Sequence, residues 1–226
     1  MTEYYSHKLS ALRLKRAYEV APPRVRQYLE AEGNHVLEKI RSSDLVVELG
    51  CGYGRILPKL AHKAGWVIGI DTSLPSLEFA LQTLDGIRNC SLSQMDAGKL
   101  GFRDGAFDCV ACIQNGISAF HIDKRTLISE SVRVTRAGGI ILLSSYSDKF
   151  WKHRLEWFEL QSEAGLLGEI DYDRTTATDG VIVCRDGFTA TTVDAEDFRA
   201  LTANLNADVR IVEVDESSLF CEIEPL

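Results

Sequence analysis

The chain has no apolar run approaching the roughly 20 residues needed to cross a bilayer, and Met1-Thr2-Glu3-Tyr4 does not open a signal peptide. A cytoplasmic protein with no membrane partner is expected. Positive charge is also short: 25 Lys and Arg face 33 Asp and Glu, a net charge of −8. A protein that clamps nucleic acid phosphates usually carries a basic stripe or tail, so small or neutral ligands are expected and nucleic acid is not. There is no internal repeat and no low-complexity tract. Metal-ligand spacing is missing as well. Cys109 and Cys112 form a lone C-x-x-C with no second pair to complete a site. They lie in a predicted strand, where residues three apart point to opposite faces, so core packing is the reading and no metal is expected. All six cysteines, Cys51, Cys90, Cys109, Cys112, Cys184 and Cys221, are expected to be free thiols.

With 226 residues, 45% of them hydrophobic, the chain can bury a sufficient core as one domain without disulfides or metal. The informative stretch is Val46-Val47-Glu48-Leu49-Gly50-Cys51-Gly52-Tyr53-Gly54-Arg55, an apolar strand running into three alternating glycines and then a helix over 56–64. Glycines there remove the Cβ atoms that keep main chain away from a ligand, and the helix start aims free N–H groups and the positive dipole end into the same space. A nucleotide-like cofactor follows from that pattern.

A second strand, Val67-Ile68-Gly69-Ile70-Asp71, ends in an acid 21 residues after Gly50, the spacing of a βαβ unit whose carboxylate accepts ribose hydroxyls. A third strand is predicted over 92–97, with Asp96 near its tip to accept from an adenine amino group. A fourth is predicted over 107–113. A bland alternative for Asp71 is a cap on the helix predicted over 73–84.

These segments, over residues 45–145, resemble the cofactor-binding core of the class I S-adenosylmethionine-dependent methyltransferases. The family pattern is E-x-G-x-G-x-G, and Glu48, Gly50, Gly52 and Gly54 fill it. A dinucleotide fold wants G-x-G-x-x-G, and residue 55 is Arg. The resemblance implies a Rossmann-like α/β fold, with a seven-stranded, mostly parallel sheet and an antiparallel last strand. It implies S-adenosylmethionine as cofactor, held by Glu48, Gly50, Cys51, Gly52, Gly54, Asp71, Thr72, Asp96, Ala97 and Gln114. Asp71 would take the ribose, Asp96 and Ala97 the adenine, Gly50 and Gly52 the methionine portion, and Gln114 the cleft floor. Glu48 would orient the loop or approach the cofactor's amino group through water.

The expected organisation is one domain over 1–226. A helical N-terminal extension or lid takes 1–44, the cofactor core 45–145, an inserted cap or flap 146–192, and a closing helix and hairpin 193–226. Apolar spacing predicts a helix stopping at Pro22-Pro23 and another over 25–40. Tyr4, Tyr5 and His7 are candidate lid contacts. After strand four, Gln114 and Asn115 should face the transferred methyl, since ligands sit beyond the carboxyl ends of the strands. Asn115-Gly116-Ile117-Ser118-Ala119 loosely resembles the N-S-F-A of glycine-type N-methyltransferases, although Ala119 comes four residues after Asn115 instead of three. It does not resemble the N-P-P-Y of enzymes that methylate nucleobase amines.

A helix over 124–134, a turn at 136–139 and a fifth strand over 140–144 follow. The segment 150–158 then places Phe150, Trp151, Arg154, Trp157 and Phe158 near one helical face, the arrangement of either a core stripe or a substrate roof. Short strands are predicted over 168–172 and 181–184, with a turn at Asp179-Gly180. A helix should start at Asp194, and 209–214 with 219–223 should form a hairpin. Substrate candidates are Asn115, Tyr146, Trp151 and Arg154; catalytic candidates are Asn115, His121 and Tyr5, with His7 and His153 as further imidazoles. Methyl transfer is chiefly positioning, so no base is assigned. The acceptor is expected to be a small molecule. A nicotinamide-dependent oxidoreductase and a noncatalytic cofactor-binding regulatory protein are the alternatives.

Overall fold

In the computed structural model, which describes residues 11–226, seven strands form one sheet in the order β3-β2-β1-β4-β5-β9-β8. The strands are β1 (Leu45–Leu49), β2 (Trp66–Asp71), β3 (Cys90–Gln94), β4 (Phe107–Cys112), β5 (Thr135–Tyr146), β8 (Ala207–Val214) and β9 (Ser218–Pro225). β1 to β5 pair in parallel, and β9 runs antiparallel between β5 and β8. Helices cover both faces, as a parallel sheet requires.

One face of the sheet packs on α2 (Pro23–Lys39), α3 (Leu57–Lys63) and α4 (Leu74–Thr83), the other on α5 (Gly116–Ala119), α6 (Lys124–Val134) and α8 (Ala195–Thr202). Alternation along the strands sorts the core. Val47, Leu49, Val110 and Cys112 belong to the α6 and α8 side, while Val46, Cys109 and Ala111 belong to the α2 and α3 side. The C-x-x-C thiols therefore sit on opposite faces, each fully buried, as expected.

The N-terminal helices fall where the apolar spacing placed them. α1 (Ala11–Glu19) ends before Pro22-Pro23, and Pro23 opens α2, where its missing N–H costs no hydrogen bond. Tyr4, Tyr5 and His7 lie outside the described residues. Asp194 caps α8 through a capping box with Asp197.

Three expectations are corrected. The predicted third strand over 92–97 is Cys90–Gln94, so Asp96 stands in the following loop, where its carboxylate accepts from Gly98 N–H. The turn at 136–139 is a bulge inside β5: Phe107 pairs with Thr135 but Cys109 already pairs with Ile140. In the insert, 168–172 contributes only an isolated bridge, Ile170 to Cys184. The real hairpin is β6 (Ile182–Val183) with β7 (Thr189–Ala190), around Asp186-Gly187 with Gly187 at φ +92°. Asp-Gly is the turn signal that makes this pairing possible.

The insert also supplies α7 (Trp151–Glu163) and packs with α1. Ala17, Phe158, Leu166, Ile182 and Phe188 share one apolar cluster, while Tyr28, Tyr146, Phe150 and Trp157 share another. Trp157 Nε1 donates to the Ala17 carbonyl at 2.8 Å, and the Tyr18 and Trp157 ring centroids are 5.8 Å apart. N-terminal extension and insert thus form one layer over the strand ends. Among the described residues no helix is long and apolar enough to cross a membrane.

Candidate active site

A cavity of about 640 Å³ opens at the C-terminal ends of β1, β2 and β4. Ligands of open α/β sheets bind there because the strand order reverses between neighbouring strands and the connections part. Gly50, Gly52, Asp71, Thr72, Asp96, Ala97 and Gln114 line it.

The turn after β1 is built for close approach. Gly52 has φ +55°, and a Cβ there would lie 2.9 Å from Leu14 Cδ2; a Cβ on Gly50 would run into the Phe120 ring. A side chain at either position would therefore fill the cradle or displace its cover. Asp71 ties two segments together: Oδ2 accepts from Gly52 N–H at 2.9 Å and Oδ1 from Ser73 N–H at 2.7 Å. Burial pushes its pKa up, against the backbone hydrogen bonds that favour the carboxylate. The Thr72 N–H also bonds to it, and the carboxylate borders the cavity, where it can accept from a hydroxyl. Ser73, not Asp71, caps α4 with its side chain.

Three of the expected cofactor residues stand behind this wall. Cys51 is buried against Gly69, and Gly54 packs where a Cβ would sit 3.2 Å from Ala80 Cβ. Glu48 is buried on the α2 side with no partner for Oε2 among the described residues. Burial pushes its pKa up to about 8, with Arg55 pulling it down and Asp71 and Glu32 pushing it up. Arg55 itself lies 5.1 Å from the Tyr18 ring centroid.

Of the acceptor candidates, Tyr146 lines the cavity. Arg154 is buried behind it, 4.7 Å from the Tyr146 centroid with Nη1 donating to the Gly180 carbonyl, and Trp151 packs beside it. Asn115 is turned away from the cavity: Nδ2 donates to the Thr191 carbonyl at 2.8 Å and Oδ1 accepts from Ser145 Oγ at 3.2 Å. His121 and His153 are not at the cavity wall either. Leu14, Ala17, Tyr18, Gln161 and Phe188 were not anticipated as lining residues, whereas Trp157 and Phe158 come from the predicted aromatic face of α7.

Glu32 is a candidate site residue that sequence reasoning missed. It is fully buried on α2 and bonds to Gln114 at the cavity floor. A signal was present: Val25, Tyr28, Leu29, Glu32, Gly33 and Val36 mark the buried stripe of α2, and a carboxylate in such a stripe needs partners.

Residues 46–139 match the methyltransferase domain family. That segment is a methyltransferase domain, and the chain is similar to S-adenosylmethionine-dependent methyltransferases. An uncharacterised methyltransferase of Schizosaccharomyces pombe is 30% identical over 123 residues, covering 50% of this chain and 43% of its own. The 2-methyl-6-phytyl-1,4-hydroquinone methyltransferase of Synechocystis is 26% identical over 138 residues, 57% of this chain and 42% of its own. The chain thus aligns with less than half the length of either curated relative. A solved S-adenosylmethionine-dependent methyltransferase from Methanosarcina mazei superposes with a TM-score of 0.62 at 18% identity, over 84% of this chain and 96% of that one. That likeness extends the shared fold beyond the matched domain. The nicotinamide alternative loses its footing in the family match.

Proposed function

We propose that this methyltransferase moves the methyl group of S-adenosylmethionine to a small molecule held between α1, α7 and the strand ends. One observation carries the reading: the cavity that meets Gly52 and Asp71 continues without a break into a chamber walled by Tyr18, Tyr146, Trp157, Phe158 and Phe188. One half suits a nucleoside and the other suits an apolar or aromatic partner.

The cofactor supplies an electrophilic methyl on a cationic sulfur. What remains for the protein is placement. Asp71 holds a sugar through its two carboxylate oxygens, Asp96 and Ala97 border the base, and the Gly50 and Gly52 backbone admits the amino acid portion. Tyr146, Trp157 and Phe158 hold the acceptor and keep water away, which aligns the nucleophile with the methyl–sulfur bond and removes the competing solvent.

Calorimetry with S-adenosylmethionine, S-adenosylhomocysteine and NAD tests the first half; binding of both sulfur nucleosides without NAD is the expected result. Label from a radioactive methyl group should then appear in a product when a panel of aromatic and aliphatic metabolites is supplied. Tight S-adenosylhomocysteine binding with no labelled product from any acceptor favours the noncatalytic alternative.

A further inference from the structure

The cleft floor is fastened from beneath by a helix outside the matched domain. The Glu32 carboxylate accepts from Gln114 N–H at 3.0 Å, from Gln114 Nε2 at 2.6 Å, from Ser144 Oγ at 2.5 Å and from Tyr28 OH at 3.4 Å. It therefore draws together the ends of β4 and β5 from a position on α2. Gln114 and Asn115 both have φ +57°, two successive left-handed residues that carry a Cβ. Such backbone persists only where its surroundings hold it. Glu32 holds the first residue, and Ser145 with the Thr191 carbonyl holds the second.

This clamp has a chemical consequence. A carboxylate can only accept, so the edge of the Gln114 carboxamide that faces Glu32 is its NH₂. Gln114 is among the residues that line the cavity, and its carbonyl oxygen Oε1 is left over. No described residue donates to it.

The geometry points to Glu32 as a positioning residue that fixes Gln114 Oε1 as the hydrogen-bond acceptor for the nucleophile, selecting substrates whose methylated atom carries a proton: an amine or a hydroxyl. The inference rests on the methyltransferase reading and names its substrate class. A proton donated to Oε1 turns a lone pair of the same atom toward the methyl group. That lone pair forms the new bond to carbon, the methyl–sulfur bond breaks with its electrons left on sulfur, and the product leaves with the proton still on it and gives it up to bulk solvent. Thioethers and tertiary amines have no proton to offer and lie outside the class.

Nitrogen-15 spectra of the wild-type protein and Glu32→Gln test the clamp without any substrate. One Gln114 side-chain proton should lie well downfield in the wild type and return to the ordinary amide range in the variant. A wild-type spectrum with both protons in the ordinary range overturns the clamp, even if the variant fails to fold. Steady-state assays on a panel of phenols and primary amines against thioethers and tertiary amines test the class. Turnover confined to protic acceptors is expected, with kcat in Glu32→Gln down about tenfold or more and KM changed little, as for a positioning defect. Comparable turnover of an aprotic acceptor, no turnover of either class, or a loss confined to KM overturns it. S-adenosylhomocysteine calorimetry on the same samples separates this from the parent reading, since failure to bind would sink the methyltransferase proposal whatever Glu32 does.

Discussion

Glu48 should make the stability of this protein fall as pH rises, and replacing it with glutamine should remove that slope. The residue lies near the end of β1, buried, with Oε2 unpartnered among the described residues. Burial lifts its pKa from 4.5 to about 8, with Arg55 opposing and Asp71 and Glu32 adding to the rise. Between those two values the folded protein keeps a proton that the unfolded chain has released. By linkage, the stabilisation is complete below about pH 4.5, is lost progressively as pH rises, and is exhausted once pH passes about 8. The full effect is on the order of 5 kcal/mol at about 1.4 kcal/mol per pH unit, large beside the 5–15 kcal/mol that typically separates folded from unfolded states. Glu48→Gln keeps the shape and stays neutral throughout. Urea unfolding of both proteins from pH 5 to pH 9 isolates the residue, because titrations common to both cancel in the difference. The variant should match the wild type near pH 5 and gain on it steadily up to pH 8. A flat difference, or a variant that loses ground as pH rises, refutes the reasoning.

Gly52→Val forces a β-branched side chain into a left-handed backbone, at roughly 1–3 kcal/mol, and drives it against Leu14. Native-like circular dichroism with no S-adenosylhomocysteine binding by calorimetry is expected, and unchanged affinity would displace the loop from the site. Asp71→Asn must aim an NH₂ at the Gly52 or the Ser73 N–H, both of which now donate to the carboxylate. Its affinity for S-adenosylhomocysteine should drop about 10- to 100-fold. Five of the six thiols are buried, with Cys90 half-buried, and burial raises the pKa of each. Ellman's reagent should therefore modify Cys90 ahead of the others in the native protein, and rapid modification of Cys109 or Cys112 would contradict their place in the core.

The parts that were legible in the sequence are those whose signals are local. β1, the glycine turn and β2 announce themselves within residues 45–71, because strand, turn and acid must follow at short spacing for a βαβ unit to close. The bounds of α6 agree to the residue with the helix expected over 124–134, and in the structure Asp123 caps it. The bulge in β5 was taken for a turn because Ala137-Gly138-Gly139 reads the same either way; only the partner strand decides, and Phe107 and Cys109 pair across it. The flap failed for a related reason. Two plausible strands were visible, but 182–183 chose β7 as its partner through a turn at Asp186-Gly187 that went unread. Glu32 is the harder case, since its bond to Gln114 spans 82 positions and no local pattern reaches so far.

That separation reflects a division of labour along the chain. Every lining residue of the nucleoside half, from Gly50 to Ile122, falls inside the matched segment 46–139. Every residue of the aromatic chamber, Leu14, Ala17, Tyr18, Tyr146, Trp157, Phe158, Gln161 and Phe188, falls outside it. Under the proposed function the two groups answer to different constraints: the first must fit one cofactor, whereas the second must fit the acceptor. Similarity within the first group therefore carries no information about the acceptor. Glu32 and Gln114 are the point where the two meet, one on the N-terminal extension and one on the core, joined by bonds of 3.0 and 2.6 Å. A substitution in the chamber should change which acceptors react while sparing cofactor affinity; one at Glu32 should alter turnover of every acceptor alike, because it acts on the group they all must meet.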